Sequence, residues 1–260
     1  MTDSAHRMIA LLVIRIILVV GFQLLAGLIL TMNKAVVWWP FSVVATDIVC
    51  LVILIALLKK EGESFTSIQF RPFDTLLPGR IPEILNRRSA ESRVKVILAD
   101  LLALVGTLAL LGIPAIAFNG FISESVPVLR DTQTIGVLPD WALYLLFVML
   151  PIGQAVVEFP FFYGYVYPRL ESYFEDEHEN PRLVASVKAL SIVLGFFVLQ
   201  MVLLPIILNP GYILWRAIAF IPLLAVIGVV IRLVPRLMPW LNLIHVLMAL
   251  GVVLEYWQYR

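Results

Sequence analysis

Seven apolar runs, each about as long as a bilayer is thick, constrain this chain more than any other feature. A helix rises about 1.5 Å per residue, so a hydrocarbon core of about 30 Å takes about 20 apolar residues. Runs of that size fall at Met8 to Leu30, Phe41 to Leu58, Val94 to Phe118, Trp141 to Tyr167, Ala185 to Leu208, Tyr212 to Ile231 and Leu237 to Trp257. Continuous apolar segments in lipid must satisfy their backbone polar groups internally, which makes each a helix. The expected fold is all-α: a polytopic transmembrane helix bundle of about seven spans, with eight as the alternative count. The first run follows His6 and Arg7 as a signal peptide would, but it is too long for an h-region and no A-x-A-like cleavage site follows. It reads as an uncleaved first span.

Composition agrees with this solvent. Soluble domains are about half apolar and a quarter charged, whereas this chain is 61% hydrophobic and 14% charged, with a mean hydropathy of +0.97. The polar stretches are too short for a second domain, so residues 1–260 read as a single transmembrane domain with a basic loop at about 59–93. The formal net charge of +1 is dispersed over short loops and leaves no basic face, so the expected partner is membrane lipid and not nucleic acid. Cys50, the one cysteine, sits in the run IVCLVILIALL and reads as a small buried hydrophobe.

Orientation follows from the basic residues, because cytoplasmic loops collect Lys and Arg. Lys59, Lys60, Arg71, Arg80, Arg87, Arg88, Arg93 and Lys95 all lie around the second connection. Placing it in the cytoplasm puts 15 basic residues inside against Lys34, Arg130, Arg216 and Arg260 outside, with the N-terminus cytoplasmic. Within that loop, SFTSIQFRPFDTLLPGRIPEIL mixes large apolar residues with charges. Two readings fit it: segments lying along the headgroups, or a cover over the inner end of the bundle.

Ionisable groups in hydrocarbon are costly, so those at membrane depth are the first functional candidates. Counted from the nearest inner basic residue, Glu158 is 11 residues from Arg169, Gln200 12 from Lys188, His245 9 from Arg236 and Asp47 12 from Lys59. At about 1.5 Å per residue these four share one layer, with Arg15 somewhat shallower. Arg15 can pair with Asp47, Asp100 or Glu158, while Asp47 and Asp100 can equally satisfy partners or face water near a helix end. Gln200, and His245 with Asn242 one turn away, also suit interhelical hydrogen bonding. His6 and His178 lie in polar segments and read as solvated. No cofactor is expected, and no metal either, since one intramembrane histidine cannot supply the three or four ligands that zinc takes. Ser191 and Gly195, four residues apart, suit a close helix contact.

The fourth run is the most informative, reading PIGQAVVEFPFFYGYVYPRLE. Pro160, just after Glu158, removes a backbone donor and bends a helix beside the carboxylate. The stretch from Glu158 through Gly164 to Pro168, Arg169 and Leu170 resembles the first motif of the CPBP intramembrane proteases, which include the CAAX prenyl proteases and the bacteriocin-immunity Abi proteins. That motif is usually Glu-Glu-x-x-x-Arg followed by Gly and then Pro-Arg-Leu. Here Phe159 stands for the second glutamate and Tyr163 for the arginine. The second motif, Phe-x-x-x-His, is matched by Phe196 with Gln200 in the place of the histidine. The last, a histidine followed four residues later by asparagine, is matched by LMPWLNLIHVLMA, which keeps Leu237, Pro239 and His245 but ends on Ala249.

The resemblance spans about the C-terminal half of the chain and implies a bacterial cell-membrane protein whose catalytic-site positions are Glu158, Gln200 and His245. In that family the glutamate activates a water beside the first histidine, and the last histidine and asparagine steady the oxyanion. A glutamine cannot take up the proton that a general base must accept, and Ala249 offers no donor to an oxyanion. The resemblance thus implies a glutamic-type peptidase that is degenerate or has lost its activity, with a peptide or membrane-protein partner. Two other classes fit the same residues. A transporter or channel component would use Asp47, Glu158 and His245 at mid-depth, although no paired broken helices accompany them. A membrane assembly subunit would use them only for packing.

The basic-residue asymmetry sets a topology test. Reporter fusions and cysteine accessibility should place the loop carrying Arg87 and Arg88 in the cytoplasm and Arg260 outside; a cytoplasmic Arg260 would require a different number of crossings.

Overall fold

The computed structural model describes residues 2–69, 138–178 and 181–258, with positions 98, 101, 102, 104–106, 108 and 109 between them. The described residues contain no strand. Helix α1 covers Thr2–Leu30, α2 Met32–Val37, α3 Trp39–Glu61 and the short α4 Phe65–Gln69. After the second connection come α5 (Asp140–Gly153), two wide π-helical stretches at Gln154–Glu158 and Pro160–Val166, and α6 (Tyr167–His178), all in one continuous rod. Then follow α7 (Arg182–Leu203), α8 (Pro210–Leu233), one 3-10 turn at Pro235–Leu237 and α9 (Met238–Gln258).

Five of these helical rods are long and apolar enough to cross a membrane: Ala5–Leu30, Trp39–Glu61, Asp140–Asp176, Arg182–Leu203 and Pro210–Leu233, with Met238–Leu254 as a shorter apolar helix. The chain is a multi-pass integral membrane protein. Most of the expected third run lies outside the described residues, as do Asp100, the loop from residue 70 to 97 and Arg260. Its described positions, 98, 101, 102, 104–106, 108 and 109, are helical, and Leu104 is buried in the main core.

The ends follow local chemistry. Gly62 closes α3 in the left-handed region at φ 70, its N–H reaching back to Leu58 and Lys59. The expected fifth run to Leu208 is too long: α7 stops at Leu203, because Pro205 has no N–H to donate and pushes Leu204 into extended backbone. The carbonyls left over there, Met201 and Leu204, accept from the Arg216 guanidinium at 2.6–2.9 Å. Asn209 caps α8 by accepting from the Tyr212 N–H at 3.1 Å, with Pro210 at the first helical position.

The two ends of the bundle differ. At one end, Arg7 and Arg169 both pair with Glu61, Arg169 also lies 3.2 Å from Glu63, and Arg232 holds Glu171 at 2.8 Å. At the other, the rings of Trp38, Phe41 and Trp141 cluster within 5.0–6.4 Å, and Tyr256 donates to the Val37 carbonyl at 3.1 Å. Aromatic residues of this kind gather at membrane interfaces. Outward faces carry aliphatic side chains such as Ile17, Leu28 and Val52, as lipid contact requires.

Glycine decides one close approach. A Cβ on Gly164 would come within 2.7 Å of the Ile68 backbone oxygen, so α4 lies directly against the second π stretch. Ile68 is buried, so α4, the described part of the amphipathic loop, packs onto the bundle. The Ser191 and Gly195 pair makes no close helix contact among the described residues: a Cβ on Gly195 would meet none of them within 4 Å, and Ser191 donates to its own helix at Val187. Gly164→Ala should therefore cost about 1–3 kcal/mol of unfolding free energy in detergent. Gly195→Ala should be neutral or add up to about 1 kcal/mol, since glycine is a poor helix former. Equal effects at the two positions would contradict the close approach.

Candidate functional site

Five helical rods each contribute one strongly polar side chain to a single buried cluster. Arg15 comes from the middle of α1, Asp47 from α3, Glu158 from the end of the first π stretch, Gln200 from α7 and His245 from α9. All five are buried, and Arg15, Glu158 and Gln200 are completely so.

The backbone under Glu158 is unusual for a physical reason. A proline at position 160 offers no N–H to the carbonyl four residues earlier and its ring crowds that carbonyl, which favours a wider turn. The π-helical stretches on both sides of Phe159 turn Glu158 toward α1 and α7, and the ring centroids of Phe161 and Phe162 lie 5.4 and 5.3 Å from the guanidinium carbon of Arg15. Gly153, one turn before this region, lets Asp47 approach: a Cβ there would be 3.0 Å from Asp47 Oδ2.

Arg15 is the hub. Its Nη2 donates to Asp47 Oδ1 at 2.7 Å and to Glu158 Oε1 at 3.1 Å, while its Nε donates to Gln200 Oε1 at 2.7 Å. Gln200 Nε2 in turn donates to Glu158 Oε1 at 2.5 Å. His245 Nε2 lies 3.3 Å from the other carboxylate oxygen, Oε2. The imidazole is stacked on Phe159, with ring centroids 4.5 Å apart and planes at 20°. Glu158, Gln200 and His245, the three positions singled out from sequence, thus lie together, and Arg15 and Asp47 lie with them.

The side chains at the divergent motif positions have other partners. Phe159 is the stacking surface for His245, and Tyr163 donates to the Leu224 carbonyl of α8 at 2.8 Å, which takes it away from the carboxylate. Ala249, one turn beyond His245, is buried in an apolar cluster with Val19, Leu146 and Val253. Among the described residues no group of three His, Cys, Asp or Glu side chains is arranged to hold a metal ion.

Two features escape sequence reasoning. Arg15 ties two acids and a glutamine at once, and its only signal is that it is the one basic residue inside the first apolar run. The second is the network at the ion-paired end, where Glu61 accepts from Arg7, Arg169 and the Tyr165 hydroxyl, and the Arg169 guanidinium lies 3.7 Å above the Tyr165 ring. Arg169 belongs to the Pro-Arg-Leu stretch, and here it ties α6 to α3.

Chemically, the cluster links helices through Arg15 and sets Glu158 Oε2 3.3 Å from His245 Nε2, out of contact with solvent. Removing Arg15 leaves two buried acids uncompensated. Arg15→Met should cost about 3–5 kcal/mol, whereas Arg15→Met combined with Asp47→Asn and Glu158→Gln should regain most of that loss. Unfolding in mixed micelles measures both, and a triple variant no more stable than the single one would contradict the charge argument.

In comparisons with protein-family models, curated proteins and solved structures, nothing matches this chain.

Proposed function

We propose that this chain is a diverged CPBP-like protein of a bacterial cell membrane, in which the family's glutamate has passed from hydrolysis to holding the bundle together. The observation that carries this reading is the double occupation of Glu158 Oε1 by Arg15 and Gln200. A general base needs a lone pair aimed at its water. In this site one oxygen is committed to two donors, one of them a permanent cation, and the other faces His245. The replacements Tyr163, Gln200 and Ala249 point the same way, since each has a structural or apolar engagement of its own. The partners in this reading are membrane lipid and a peptide or membrane protein that is bound without being cleaved.

The same reading has seven spans with a cytoplasmic N-terminus. Glu61 belongs to the ion-paired end, about 33 Å along α3 from Trp39 at the aromatic end. Asp140 begins α5 beside Trp141, whose ring lies 5.8 Å from that of Trp38. The chain therefore changes sides between Glu61 and Asp140, which supports an odd number of crossings there, with the run from Val94 to Phe118 as the candidate. The ion-paired end is the one that the basic residues assign to the cytoplasm.

A reconstituted peptidase assay with prenylated and unmodified peptides tests the function. The expected outcome is no cleavage by the native chain and no change in Glu158→Gln. Robust cleavage that disappears in Glu158→Gln would overturn the reading.

A further inference from the structure

We propose that the Arg15–Asp47–Glu158–His245 cluster is a binding site for one proton, held in common by Asp47, Glu158 and His245. The inference stands on charge and geometry and does not depend on the family likeness.

Charge comes first. Arg15 brings one permanent positive charge, and Asp47 and Glu158 bring up to two negative ones. Both acids reach the same nitrogen, Arg15 Nη2, at 2.7 and 3.1 Å, so they share one counter-charge. With both acids ionised and His245 neutral, the cluster carries one excess negative charge in the middle of the membrane, where uncompensated charge is disfavoured. One proton makes it neutral, whether it sits on a carboxylate or on the imidazole. Two acids at one site cannot both ionise freely, and the proton then belongs to the set and not to one residue.

Unpartnered atoms supply the second line of evidence. Three acceptors, Asp47 Oδ2, Glu158 Oε2 and His245 Nδ1, are buried without a hydrogen-bond partner among the described residues, as is the donor Arg15 Nη1, although buried polar atoms are nearly always paired. Each of the three accepts a proton, and Glu158 Oε2 is already 3.3 Å from His245 Nε2. Among the described residues, the other buried polar groups near them are neutral: Gln200 from α7, Asn242 one turn before His245 on α9 and Cys50 one turn after Asp47 on α3. The ligand is a proton and not a metal ion, because the acids and the histidine are not disposed as a metal-binding group.

Three rods hold this proton and two more, through Arg15 and Gln200, hold the acids, so its loss is coupled to how all five sit. Protonated, the cluster is a neutral clasp around Arg15; deprotonated, it has an excess negative charge that favours opening to water. The chain thereby has a protonation-linked device of the kind that proton-coupled membrane proteins use.

The test uses the full chain in lipid nanodiscs. Infrared spectra in water and heavy water report protonated carboxyls, and nitrogen NMR of labelled histidine reports His245, distinguished from His6 and His178 by its loss in His245→Phe. The expected result at neutral pH is one buried protonated group, either a carboxyl or a doubly protonated His245, that titrates away in a single one-proton step as pH rises. Asp47→Asn leaves Arg15 facing one carboxylate and should abolish that step, as should Glu158→Gln. Absence of any protonated group in the native chain, persistence of the step in a folded variant, or a transition driven by sodium at constant pH would each overturn the proposal. If neither variant folds, the native spectra alone decide it. Cleavage of peptides would sink the reading above and leave this one standing, because the two experiments read different events.

Discussion

A guanidinium completely out of contact with solvent holds the membrane bundle together. Arg15 cannot lose its charge, and hydrocarbon offers it nothing, so the fold has to bring acceptors to it from other helices. Asp47, Glu158 and Gln200 do so from three separate rods, at 2.7, 3.1 and 2.7 Å. The phenylalanine rings at 161 and 162 add faces to which a cation is attracted. Lipid tails are as apolar as leucine, so burial of aliphatic surface does little to choose one helix arrangement over another. A buried charge whose partners lie on particular helices does choose, because any other arrangement strands it.

The backbone is adapted to that requirement where it departs from regular helix. Pro160 widens the rod that carries Glu158, and the absent side chain of Gly153 lets Asp47 lie against the same rod. Gly164 lets α4 lie directly against it. The aromatic stack of Phe159 on His245 and the hydroxyl of Tyr163 on Leu224 join α9 and α8 to this region. These adaptations concentrate in the segment that resembles a protease motif, yet in each case the side chain observed is engaged in packing or hydrogen bonding within the bundle.

The same arrangement separates two kinds of chemistry. Hydrolysis needs a carboxylate oxygen open to water next to a second base, whereas Arg15 and Gln200 occupy Glu158 Oε1 and Oε2 is buried against His245. Proton binding needs only acceptors and a deficit of positive charge, and both are present around Arg15. A site can lose the first capacity and keep the second, because the second depends on the count of charges and not on the alignment of a substrate.

Much of the architecture is legible in the residues themselves. Long continuous apolar runs determine that the chain is helical and lies in a membrane, since a helix satisfies its polar groups within one such run, whereas barrel strands are shorter and alternate apolar with polar residues. Helical rise also places Glu158, Gln200, His245 and Asp47 at one depth, because distance along a helix is proportional to residue number. The azimuth of each side chain, and which helix neighbours which, depend on packing between segments far apart in sequence. Sequence therefore left Arg15 with several possible partners, and tertiary structure joined it to Asp47 and Glu158 together. The widened turns at Gln154–Glu158 and Pro160–Val166 were hidden as well, since a proline marks a defect but its neighbours decide whether the helix kinks or broadens. Sequence by itself determined the solvent, the secondary structure and the depth of the polar layer. Only the tertiary structure decided that the layer closes around one arginine, because that depends on helix rotations set by contacts among all five rods.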